Sequence, residues 1–239
     1  MRGSTLFNTV AHCTTVYYYA HVLRYIADMR ATVGDEKVLH NFIDFRPKFF
    51  TMWGLAAQAL LFVLCSLHDF TRVFSPANPV RRAARGLRDL VLVGVAAPIA
   101  VTVTAMFWAL FTLDRELVMP AALDKAIPVW LNHAMHSFVL VLVVVQVLAE
   151  PHHPPPLGLT LTLALAVSGG YIYTLLNEYA VTGRWIYPVF DVLGWPGRAA
   201  LMAATIVLFL SQVLLAWAAV RARWGHAKST SRGGKKRKD

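Results

Sequence analysis

Charge is scarce in this chain, and acidic charge most of all. Only 13 Asp and Glu stand against 23 Lys and Arg in 239 residues, and charged residues make up 15% of the total. So few charges cannot cover the surface of a water-soluble domain of this length, which excludes that class. Cysteine is nearly absent too. With Cys13 and Cys65 alone, a disulfide-stapled scaffold is excluded. No repeat of solenoid period runs through the chain, so it is read as a single bundle. The apolar stretches hold no Asp or Glu in their interiors. A nucleophilic triad that depends on a buried carboxylate therefore cannot be assembled within them.

Apolar residues take the place of charge, at 57% of the chain and a mean hydropathy of +0.51. Six windows stand out, at Leu6 to Ile26, Phe49 to Leu67, Leu90 to Leu113, Ile127 to Ala149, Leu157 to Asn177 and Ala199 to Val220. Each approaches the ~20 residues that a helix needs to cross a ~30 Å hydrocarbon core. The expected fold is all-α, a polytopic membrane bundle of six transmembrane helices spanning residues 1–222. His12, His21 and Arg24 interrupt the first window, which leaves open a signal anchor or a helix lying on the membrane surface. With six crossings, fourteen Lys and Arg fall on one side and eight on the other. Basic residues favour the cytoplasm, so both termini are expected there. Residues 223–239, ending in GGKKRKD, read as a basic disordered cytoplasmic tail. The net charge of +10 points to anionic lipid headgroups rather than nucleic acid.

The most informative segment is IPVWLNHAMH, residues 127–136, which sets Asn132, His133 and His136 within an apparent span. Polar groups in hydrocarbon are costly and usually have a partner or a task. Spacings of three and four put the three side chains on one helical face. Without a carboxylate neighbour, a buried His136 is expected to be uncharged and able to accept a proton, as a general base must. Ser137 points away around the helix, and Ser168 in AVSGG lacks the strand and turn of a nucleophile elbow. Thr51 enters its helix from the same side as His136. Depth is the difficulty, since His136 lies roughly 14 Å along the helix from Ile127 and Thr51 only about 3 Å from Phe49. The two meet only if the second helix begins earlier, near Phe42, or if Trp130 marks the membrane interface. His21 and Gln58 are further residues expected to line a cavity.

KFFTMWGLAAQ at 48–58, DREL at 114–117 followed by Pro120, IPVWLNHAMH, and GRWIYPVF at 183–190 together resemble the androgen-induced protein and androgen-dependent TFPI-regulating protein family. The resemblance implies a multi-pass membrane hydrolase of fatty acid esters of hydroxy fatty acids, with Thr51 as nucleophile and His136 as base. No cofactor and no metal are expected. Asn132 and His133 become expected oxyanion or substrate-positioning residues. The chain departs from the family pattern at Pro47, where an aromatic residue is usual, and at Gly54, where a polar one is; both bear on substrate range more than on chemistry. Endoplasmic reticulum or plasma membrane is the expected location. Two readings from other classes are a multi-span haem-binding electron-transfer protein using His12, His21, His133 and His136, and a transporter.

Overall fold

A computed structural model describes residues 2–29, 42–74 and 79–225, the side chains of 2–5, 73 and 74 excepted. The predicted tail covers 223–239: Arg223 and Trp224 still belong to the last helix, and residues from 226 onward lie outside the described residues. Among those residues every regular element is helical. Seven main helices follow one another: α1 (Arg2–Asp28), α2 (Phe50–Phe74), α3 (Pro79–Leu113), α4 (Val129–His136), α5 (Phe138–Ala149), α6 (Leu157–Thr182) and α7 (Trp195–Trp224). Short turns of 3-10 helix at Arg46–Lys48, Arg115–Leu117 and Ala121–Lys125, and one helical turn at Val189–Val192, gather at one end of the bundle.

Four helices, α2, α3, α6 and α7, are long and apolar enough to cross a membrane, and α4 with α5 makes a fifth if that bent pair is one span. The first of the six expected spans is not among them. α1 is 27 residues long, but Asn8, His12, His21, Arg24 and Asp28 dilute its apolar content. It lies along α2, burying Tyr19, Val22 and Ile26 against it.

Two helices depart from regular geometry. Residues Leu92–Ala96 of α3 form a π turn just before Pro98. Proline has no N–H to give the Gly94 carbonyl and its ring crowds that turn, so a wider turn accommodates it. α4 and α5 meet at Ser137 with a bend of 42°. No proline or glycine stands there. Ser137 itself leaves helical geometry, with φ of −121° and ψ of −54°, while its N–H still bonds the His133 carbonyl. Gly183, with φ of 69°, ends α6 in the left-handed conformation that glycine adopts without strain.

The helices extend past their apolar windows, and this draws the flanking charges into the bundle. Asp69, Asp89 and Glu150 are all buried at the end opposite the turns. Arg88 bonds Asp89 at 2.8 Å and Glu150 at 3.4 Å, His152 bonds Asp89 at 2.8 Å, and His12 bonds Asp69 at 2.8 Å and Gln146 at 3.0 Å. Cys13 and Cys65 are free thiols.

Candidate active site

Thr51 stands in the first turn of α2, immediately after the 3-10 turn Arg46–Lys48 and a short helical stretch at 42–45. The second helix itself begins at Phe50, not near Phe42: the coils at 42–45 and 46–48 are separate, and an extended Phe49 divides them from α2. From the facing α4, His136 brings Nε2 to 3.4 Å from Thr51 Oγ1. That is longer than a formed hydrogen bond, yet contacts between a nucleophile and its base commonly tighten only around substrate.

The protonation of the ring follows from its other nitrogen. Nδ1 of His136 lies 2.7 Å from Asn132 Oδ1 and 3.0 Å from the Asn132 carbonyl oxygen, and a carbonyl oxygen can only accept. Nδ1 thus carries the hydrogen, and in the neutral ring Nε2 keeps the lone pair that faces Thr51. Phe107 lies flat on the imidazole, with ring centroids 3.6 Å apart and planes within 4°. Asn132 and Phe107 together fix the ring's orientation.

Thr51 and His136 open on a cavity of about 310 Å³ whose wall is largely apolar, with Met106, Leu110, Met135, Leu175 and Met202 among its residues. Its polar groups are few: the Thr51–His136 pair, Thr102, Thr205, Tyr171 and Tyr187, with Arg46 and Asp191 also bordering it. An acyl chain fits such a lining. A strongly hydrated substrate does not.

The other expected site residues lie elsewhere. His133 turns to α3, where its ring stacks on Trp108, and its Nδ1 lies 3.1 Å from Ser137 Oγ at the α4–α5 junction. Asn132 is buried behind His136 rather than on the cavity wall, so neither residue borders the cavity as an oxyanion donor. Gln58 is buried between helices, accepting from Tyr19 Oη and donating to the Val139 carbonyl. His21 is exposed, packed beside Trp130. Neither lines the cavity. Sequence reasoning passed over Phe107 and the two tyrosines. Tyr187 did carry a signal, as the tyrosine of the GRWIYPVF motif. The haem reading loses His12, whose two ring nitrogens are bonded to Asp69 and Gln146.

Fold and site together define a multi-pass, all-helical membrane protein with a hydroxyl and an imidazole facing each other across an apolar cavity. The chain belongs to the FAR-17a/AIG1-like protein family, whose pattern it matches over residues 6–219. It is 32% identical to human androgen-dependent TFPI-regulating protein over 216 residues, covering 90% of this chain and 93% of that one. With the Mesocricetus auratus protein of the same name it shares 34% over 192 residues, 80% and 83% of the two chains. Human androgen-induced gene 1 protein is 34% identical over 167 residues, 67% of this chain and 70% of its own. No solved structure matches it.

Proposed function

We propose that this protein is an intramembrane carboxylic ester hydrolase acting on fatty acid esters of hydroxy fatty acids. The observation that carries this reading is the approach of Thr51 Oγ1 to His136 Nε2 at 3.4 Å on the wall of an apolar cavity, with Nδ1 of the same ring held by Asn132. His136 takes the hydroxyl proton as Thr51 Oγ1 attacks the ester carbonyl carbon. Collapse of the tetrahedral intermediate expels the hydroxy fatty acid, whose alkoxide receives that proton from His136, and leaves an acyl-threonine. Water, deprotonated by the same imidazole, then releases the second acid and restores both side chains.

In this reading α1 and the α4–α5 pair also cross the membrane, giving six spans with both termini and the basic tail in the cytoplasm. Endoplasmic reticulum or plasma membrane houses the enzyme. The first prediction follows directly: the purified protein in lipid nanodiscs hydrolyses a branched fatty acid ester, and Thr51→Ala and His136→Ala each abolish turnover while remaining folded. Substantial activity in either variant removes the dyad. A fluorophosphonate probe that labels the parent but not Thr51→Ala identifies the nucleophile independently.

A further inference from the structure

An ester hydrolase must stabilise the negative charge that forms on the carbonyl oxygen, and groups aimed at that oxygen supply much of the rate. Asn132 Oδ1 is taken by His136, and His133 faces Ser137 and Trp108. The donors lie elsewhere on the cavity wall.

Tyr171 of α6 and Tyr187 of the loop after it both border the cavity. Their hydroxyl oxygens are 2.8 Å apart, and the backbone N–H of Phe50 donates to Tyr187 Oη at 3.0 Å. Three hydrogens, two phenolic and one amide, meet only two oxygens. If Tyr171 donates to Tyr187, the hydrogen of Tyr187 is left over; if the bond runs the other way, that of Tyr171 is. In either arrangement one phenolic O–H has no acceptor among the described residues, although it faces an apolar chamber. A second donor shares this condition. Thr102, 1% exposed, also lines the cavity, and its Oγ1 has no hydrogen-bond partner among the described residues. Unspent buried donors are uncommon, and a catalytic role is one of the few things that explains them.

The position of the tyrosine pair relative to the nucleophile is equally specific. Phe50 directly precedes Thr51, so the bond from its N–H ties the Tyr187 phenol to the turn that carries the nucleophile. The loop is rigidly seated: Trp185 stacks on Tyr179 and Phe190, and Arg198 donates to the Phe190 carbonyl while its guanidinium covers Trp185. In the first turn of α2, Phe50 N–H goes to Tyr187, and Met52 and Trp53 N–H both go to the Phe49 carbonyl. The N–H of Thr51 remains, at the positive end of a helix.

We propose that Tyr187, whose Oη accepts from Tyr171 and so turns its own hydrogen into the cavity, donates to the ester oxyanion, and that the backbone N–H of Thr51 is the second donor. The assignment rests on Thr51 being the nucleophile. Burial raises the Tyr187 phenol above its ordinary value, against the opposing effect of the two bonds it accepts. It therefore remains a protonated donor at neutral pH.

The test uses the full chain in nanodiscs, a hydroxy fatty acid ester as substrate and its non-hydrolysable ether analogue as a ground-state ligand. Tyr187→Phe should lower kcat by about 10²–10³-fold, the loss seen when one oxyanion donor is removed. KM and affinity for the ether should barely move, a separation that a merely structural tyrosine does not produce. Tyr171→Phe should cost far less, because Tyr187 then keeps its own hydrogen. Fluorinated tyrosine at position 187 preserves shape while acidifying the phenol, and should add an alkaline limb to the kcat–pH profile as the donor hydrogen is lost. If Tyr187→Phe retains kcat while Thr51→Ala is inactive, the tyrosine assignment falls and the threonine stands. Hydrolysis by Thr51→Ala overturns both. Should Tyr187→Phe fail to fold, an unchanged pH profile in the fluorinated variant overturns the assignment alone.

Discussion

At the scale of single residues, Asn132 decides which nitrogen of His136 faces the threonine. Two of its oxygens accept from Nδ1, the side-chain Oδ1 at 2.7 Å and the backbone carbonyl at 3.0 Å. Asn132→Leu removes only the first. The backbone still selects the tautomer, so kcat should fall by less than the about 10²–10⁴-fold that a positioned base contributes. Single-turnover rates on the acylation step measure this, and a loss as complete as that of His136→Ala shows the side chain to act on substrate directly. The same geometry explains what the sequence revealed of this residue. Spacing of four brought Asn132 and His136 together, as read, but two side chains in mutual contact need not both face a cavity. His133 lies about 60° around the helix from His136, which is enough to aim it at Trp108. Thr51 had no local signature among the many helical threonines, and only its motif context singled it out. The tyrosine pair was illegible because residues 171 and 187 meet through a loop whose path no periodicity describes.

At the scale of elements, the distance between α2 and α3 is set by a contact that only glycine permits. A Cβ added at Gly54 meets Ile99 Cγ2 at 2.8 Å, with Ile99 held in the cluster of Phe50, Val103 and Tyr171. Gly54 lies three residues after Thr51, so pushing the helices apart there shifts the turn that carries the nucleophile. Gly54→Ala should destabilise the bundle by about 1–3 kcal/mol, the usual cost of overpacking, and should slow turnover with it. Adding Ile99→Ala opens the space at a cost of its own, so the two substitutions together should cost less than the sum of their separate effects. Thermal unfolding of the two variants checks this; a Gly54→Ala protein as stable as the parent shows that the helices part freely. Helices of this kind were legible from hydropathy, because hydrocarbon permits little else. Their ends and bends were not. The run 127–149 is continuously apolar enough to read as one helix, and its break falls at Ser137, where no proline or glycine announces it.

At the scale of the whole molecule, polar groups are divided between two ends. The candidate site occupies the end where the loop turns gather, and the opposite end holds a buried network of Arg88, Asp89, Glu150, His12, Asp69 and His152 that joins α1, α2, α3 and the segment after α5. Arg88 is 1% exposed and reaches Asp89, Glu150 and, at 2.9 Å, the carbonyl of Pro151. Two buried carboxylates, Asp89 and Glu150, share one guanidinium, so the arginine is the group whose removal leaves most charge unpaired. Arg88→Met should cost about 3–5 kcal/mol, the usual consequence of orphaning a buried ionic partner, whereas replacing a whole network by apolar side chains is often tolerated. Glu150→Gln added to Arg88→Met therefore ought to restore part of the loss, because one of the orphaned charges disappears with it. Since none of these residues borders the cavity, the folded fraction of each variant should keep the parent's kcat at temperatures below its transition. Unfolding temperature and kcat measured on the same nanodisc samples separate the two effects. A drop in kcat without a drop in stability would mean that the ionic end communicates with the threonine along the helices, and the division of labour between the two ends would have to be abandoned.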